Sequence, residues 1–224
     1  MRLPCPQKLA MKKIGIIGSG IVARTLGNGF LKHGHEVMLG TRHADKLAEW
    51  KAQSGPHGHV GTTAEAAKFG EIIVLAVKGS SAAVVIEEAG PQNMRIKTVI
   101  DATNPIADAP PENGVLKFFT THDESLMEAL QTQFPEIHFV KAFSSVGSHF
   151  MVNPDFGEKP TMFICGNNDN AKKEVQDVLD QFGWETADMG KATGARAIEP
   201  LCMLWCIPGM LNGQWSHAFR LLKK

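Results

Sequence analysis

Gly18, Gly20 and Ala23 stand in the run Gly18-Ser19-Gly20-Ile21-Val22-Ala23, a G-x-G-x-x-A spacing between an apolar stretch and a helical pattern. Each small residue has its own use there. Gly18 permits a tight strand-to-helix turn, Gly20 lets a pyrophosphate approach the backbone, and Ala23 lets helix and strand pack closely. The helix start then offers free N–H groups and a partial positive charge to the phosphates. A glycine turn with no ligand would need neither this spacing nor a helix directly after it.

The second group is Gly40-Thr41-Arg42, with Lys46 close behind. An NAD site usually carries Asp or Glu at this point, accepting from the ribose 2′-OH. The stretch 39–44 has neither. A hydroxyl, a guanidinium and an ammonium instead suit a 2′-phosphate, through charge-assisted bonds worth roughly 1.5–3 kcal/mol each. NADP should therefore be preferred over NAD by about tenfold or more.

Further polar residues fall at other strand ends, where ligands bind in parallel sheets. Val77 would flank the adenosine or ribose. Asn104 of Asp101-Ala102-Thr103-Asn104-Pro105 would bond a cofactor or orient a substrate, although Asn-Pro also initiates turns. Asp101 is a candidate loop cap. In Lys141-Ala142-Phe143-Ser144-Ser145, backbone groups would hold a carboxamide, with Ser144 or Ser145 adding hydroxyls. Lys141 is either a proton donor or a solvated lysine at a strand edge, the second being the commoner case. His149 is the nearest alternative donor. There is no tyrosine, so any mechanism with a tyrosine acid is excluded. There is also no Lys-x-x-x-Asn pair of the kind 3-hydroxyacid dehydrogenases use.

The elements that would position these groups alternate. Apolar runs predict strands at 13–18, 35–39, 59–62, 71–77, 98–101, 137–142, 161–165 and 184–187. Helical patterns fall at 21–33, 43–53, 64–68, 82–88, 123–134 and 171–182. A long helical segment from about 192 towards 222 contains Pro200 and Pro208, which should kink or interrupt it. The fold class is α/β: a Rossmann-type doubly wound parallel sheet with a mostly helical C-terminal extension. The divisions are a disordered leader over 1–11, with Met11 as an alternative start, a nucleotide-binding domain over 12–143, and an extension over 144–224 that packs on the sheet.

The 224 residues are enough for a sizeable core. Lys and Arg balance Asp and Glu at 23 each, so no basic excess points to nucleic acid or an anionic membrane. No apolar run reaches the roughly 18 residues of a membrane span. Four cysteines, at 5, 165, 202 and 206, are too few and scattered for a disulfide framework, which points to a reducing, cytoplasmic compartment. Cys202 and Cys206 share a helix face at i, i+4; apolar packing is the commoner use of such a pair, and no metal site is expected.

Taken together, GSGIVA, GTR with Lys46, DATNP, KAFSS, ICGNNDNAKK, GWE-x-x-DMG and ARAIEPLCMLW resemble the NADPH-dependent deazaflavin reductases, or F-420-dependent NADP oxidoreductase-like family. The likeness runs in order from about residue 13 to 210. It implies NADP contacts at Ser19, Gly20, Ile21 and Val22, beside the turn at Gly18, with Thr41, Arg42 and Lys46 on the 2′-phosphate. Val77, Asn104 and Ala142 would approach the rest of the cofactor. It also implies a deazaflavin or flavin as the small-molecule electron acceptor, hydride transfer between stacked rings with no catalytic acid, and a homodimer formed partly through C-terminal helices. Met203, Trp205 and Pro208 would wall the acceptor pocket unless they are simply core. The cytosolic domain of STEAP metalloreductases shares the KAF pattern. A non-catalytic NADPH sensor is the alternative function. An imine or ketone reductase would need a proton donor.

Overall fold

Short runs of isoleucine, leucine and valine build the centre of the sheet. The computed structural model describes residues 10–224, so nearly all of the expected leader, Cys5 included, lies outside the described residues. The strands are β1 (Lys13–Ile17), β2 (Glu36–Gly40), β3 (Gly58–Gly61), β4 (Ile72–Leu75), β5 (Thr98–Asp101), β6 (His138–Lys141), β7 (Thr161–Gly166) and β8 (Glu185–Asp188). The helices are α1 (Ile21–Lys32), α2 (Ala48–Gln53), α3 (Thr63–Phe69), α4 (Ala82–Ala89), α5 (Leu126–Gln133), α6 (Asp169–Gln181) and α7 (Ala195–Asn212).

Neighbouring residues of a strand serve opposite faces. Ile14, Ile16, Ile72 and Val74 pack with Phe30, Val175 and Phe182 on one face. Ile17, Ile73 and Leu75 pack with Val85, Ile86, Met127 and Leu130 on the other. Burial on both faces is why these strands read as unbroken apolar runs.

The strand order is β3-β2-β1-β4-β5-β6-β7-β8. Ile16 of β1 pairs with Leu39 of β2 on one side and Val74 of β4 on the other, both in parallel. The chain thus leaves β1 in one direction and later returns to its opposite edge. That reversal opens a crevice beyond the carboxyl ends of β1 and β4.

The sheet is Rossmann-type and mostly parallel, and one pair departs from that pattern. β7 runs antiparallel to β6, with Lys141 opposite Cys165. The connection over 142–160 carries only a 3-10 turn, Ser148–Phe150, and no crossover helix. The chain therefore re-enters the sheet from the end at which β6 left it. β8 then pairs parallel with β7, so the boundary expected at 143/144 falls between two strands of one sheet.

The long C-terminal helix is shorter than its pattern predicts. It runs uninterrupted through Pro200 and Pro208 and stops at Gly213, which adopts the left-handed conformation (φ 68°, ψ 15°) and closes the last turn by donating to Gly209 O. Residues beyond it fold back to the start of β7, where Thr161 N donates to Phe219 O at 2.9 Å. α5 begins at 126, not 123, because Ser125 and Glu128 form a capping box. Thr62 and Glu65 do the same for α3. No helix among the described residues is long and apolar enough to cross a membrane.

Candidate functional site

The crevice at the switch point is a cleft of about 690 Å³ lined by the 18–22 turn, by Gly40 to His43 and Lys46 after β2, and by Ala76 to Lys78 after β4. Gly18 has φ +142°, and a Cβ there would overlap the carbonyl oxygen of Ala76. Gly20 is different. A Cβ built on it meets no atom within 4 Å, so the space above it is open to a ligand. No side chain caps α1, and its first turn carries no acid. The unused N–H groups of that turn are the donors a phosphate needs.

At one rim, Thr41 is buried and its Oγ1 accepts from His43 N at 3.1 Å, which shapes the turn. Arg42 and Lys46 are exposed. Arg42 Nη1 lies 3.4 Å from Glu88 Oε1, in a solvent-facing pair of the kind that contributes about 0–1 kcal/mol and yields to a better anion. His43, Thr63 and Ser81 also line the cleft. Sequence reasoning did not select them as site residues. A lone histidine or serine in a loop has no spacing to announce it; Ser81 stands out only once α4 is seen to start beside the cleft. Of the expected cofactor residues, Gly18, Ser19, Gly20, Ile21, Val22, Thr41, Arg42, Lys46 and Val77 share this one cleft. Asn104 and Ala142 do not line it; they sit at the next strand ends, beyond Ala102.

There, Asn104 Nδ2 donates to Ser144 O at 3.1 Å. Asn104 Oδ1 and Ser144 Oγ are buried without a hydrogen-bond partner among the described residues. An unpaired buried polar atom costs roughly 1–3 kcal/mol. A free amide oxygen and a free hydroxyl near these strand ends are an acceptor and a donor of the kind an amide group can pair with. Ala142 is fully buried with the core. Phe143 has φ 63°, a conformation costing about 1–3 kcal/mol for a bulky residue. Its ring packs inward near Phe182 while Ser144 and Ser145 follow in the next turn.

Lys141 is neither solvated nor free to donate a proton. Its side chain has no exposed surface, and Nζ lies 2.7 Å from Asp101 Oδ2, 2.9 Å from Glu199 Oε1 and 2.9 Å from Thr103 O. Burial alone would lower its pKa, but the carboxylates of Asp101 and Glu199 outweigh it and hold the ammonium above the ordinary lysine value. Asp101 is more than a loop cap, although Oδ1 does accept from Thr103 N at 2.9 Å and Thr103 Oγ1 at 2.6 Å. Glu199 also accepts from Leu126 N and Met127 N at the start of α5. The sequence signal for Glu199 was a single carboxylate within an apolar helix, which goes buried only if it is paired. Cys165, near this cluster, has its thiol pushed up to about 12 by burial first, with Lys141 opposing.

His149 is exposed. Trp205 is largely buried, stacked on His217 at 5.0 Å, and donates from Nε1 to His217 O at 2.8 Å. A Cβ on Gly147 would come within 2.6 Å of its indole, so Trp205 supports the loop after β6 from behind. Met203 and Pro208 are half-buried on the same helix.

Fold and cleft together define a Rossmann-type nucleotide-binding protein. Residues 13–105 match the family described as NADP oxidoreductase coenzyme F420-dependent. A solved structure from Arthrobacter sp. FB24, carrying the provisional name F420-dependent NADP-reductase, superposes with a TM-score of 0.86 at 30% identity, covering 96% of this chain and 100% of that one. The F420-dependent NADP reductase of Methanocaldococcus jannaschii is 27% identical over 62% of this chain. Metalloreductase STEAP3 of Rattus norvegicus is 29% identical over 89% of it. The chain spans 62% of the former relative and 39% of the latter. The chain belongs to the F420-dependent NADP oxidoreductase family, a family of NAD(P)-binding oxidoreductases.

Proposed function

We propose that this protein binds NADPH along the cleft and exchanges a hydride between it and a flat, flavin-like acceptor, either a deazaflavin or a flavin. The observation that carries this is the open cleft whose basic rim, Thr41, Arg42 and Lys46, holds no carboxylate where an NAD site would have one. The α1 N-terminus takes the pyrophosphate, and Asn104 with Ser144 takes the carboxamide. Bound NADPH supplies a hydride, two electrons with one proton, to an acceptor ring. The protein's part is to hold the rings and exclude water, which needs no acid. Lys141 is locked in its ion cluster and His149 faces solvent, which favours ring-to-ring transfer over reduction of an imine or ketone.

The name of one relative, an F420-dependent NADP reductase, supports the acceptor class. On the same reading the protein is a homodimer through α7. Its free thiols at Cys165, Cys202 and Cys206 accord with a reducing, cytoplasmic setting.

The test is a titration with NADPH and NADH, repeated on Arg42→Ala. NADPH should bind about tenfold or more tighter, and the variant should lose that preference. Adding a 5-deazaflavin or FMN should then oxidise NADPH. Binding without oxidation by either acceptor would make the protein a sensor, and equal affinity for both nucleotides would sink the 2′-phosphate assignment.

A further inference from the structure

Thr103 has all its polar atoms committed to one buried ion cluster. Its N–H and Oγ1 donate to Asp101, and its carbonyl accepts from Lys141. Lys141 in turn is held by Glu199, which reaches in from α7 and also takes two N–H groups of α5. The ammonium therefore has three partners, and three elements meet at it: β5, β6 and α7.

Such a cluster is a poor device for stability, since well-packed apolar side chains often do as well as a buried ion pair. What it does provide is direction. Ionic contacts and hydrogen bonds from several elements onto one ammonium restrict where the attached backbone can lie. The residue directly after Thr103 is Asn104. Its Oδ1 and Ser144 Oγ are each buried without a partner among the described residues, and its Nδ2 donates to Ser144 O. The backbone held by this cluster thus lies one peptide from Asn104, whose Oδ1 lacks a partner and whose Nδ2 reaches the Ser144 backbone.

We infer that Glu199, acting through Lys141, is a positioning residue that fixes the Thr103–Asn104 backbone so that Asn104 and Ser144 receive the nicotinamide end of the cofactor. The inference rests on the NADPH reading above and extends it to a residue on α7 that lies outside the cleft.

The experiment compares two ligands, NADPH and 2′-phospho-ADP-ribose, which lacks the nicotinamide. Binding of each is measured calorimetrically to wild type, Asn104→Ala, Glu199→Gln and Thr103→Val. Wild type should bind NADPH more tightly, the difference being the share of the nicotinamide end. Glu199→Gln should weaken NADPH by about tenfold, the size of one or two lost hydrogen bonds, and leave 2′-phospho-ADP-ribose unchanged, as Asn104→Ala does. Thr103→Val keeps the ion cluster and the side-chain shape, so it provides the same test if Glu199→Gln does not fold; it should shift NADPH alone, by less. Equal weakening of both ligands, or of neither, would overturn the inference. So would a wild type that binds the two alike. Wild type binding neither ligand would instead refute the NADPH reading beneath it.

Discussion

Gly18 and Gly20 occupy one turn for different reasons, and a single methyl group separates them. At Gly18 the backbone is in a region closed to other residues, and Ala76 O fills the place of a Cβ. Gly18→Ala should therefore lose about 2–4 kcal/mol of stability, read as a lower urea midpoint. At Gly20 nothing fills that space, and the cost to folding should stay below about 1 kcal/mol. The same substitution should nonetheless weaken NADPH binding, because the methyl would occupy the path proposed for the pyrophosphate. A Gly20→Ala protein that binds NADPH like wild type would show that the phosphates lie elsewhere. Both glycines were legible from spacing alone. The different consequences of changing them were not, since they depend on what stands opposite each Cα.

At the scale of the element, α7 has one buried and one exposed apolar face. Ile198, Glu199, Cys202 and Trp205 face inward. Leu204 and Leu211 are more than half exposed, and Trp215 and Val115 add to the apolar surface nearby. Apolar side chains at this density on a helix are the usual material of a subunit interface. In the proposed homodimer, replacing Leu204 and Leu211 together by Glu should give a monomer in sedimentation, with NADPH affinity kept. A monomeric wild type would refute the homodimer. The helix was legible as a long apolar segment, but its end was not. Only the left-handed Gly213 and the return of the tail to Thr161 stop it. The direction of β7 was hidden for a similar reason. Apolar runs report burial, and burial is the same in either direction.

At the scale of the whole molecule, His35 joins three parts of the fold. Its Nδ1 accepts from Lys12 N at 3.2 Å, ahead of β1, and its Nε2 therefore carries the hydrogen and donates to Gln181 Oε1 at 2.9 Å, at the end of α6. Burial first, then the charges of His33 and Lys12, lower its pKa, with the Gln181 bond opposing. The folded protein thus holds the neutral ring, and the unfolded chain protonates earlier as pH falls. Stability from this group is complete above the unfolded value of about 6.5, declines as pH drops below that value, and levels off below the folded value. The urea midpoint should fall across that window, and His35→Phe should flatten this part of the slope. An unchanged slope would mean that the ring titrates alike in the folded and unfolded chain.

The sequence by itself determined the alternation of strand and helix, the glycine turn after β1 and the basic residues after β2. Each of these is a local pattern, carried by residues a few positions apart and by the periodicity of apolar side chains. The tertiary structure alone decided where Lys141 points, because its partners, Asp101 and Glu199, arrive from distant segments. It also decided that Phe143 takes a left-handed backbone and that Asn104 and Ser144 stand together with unpaired atoms. A buried charge or an unsatisfied polar group is defined by what surrounds it in space, and that is set only when the remote parts of the chain have packed.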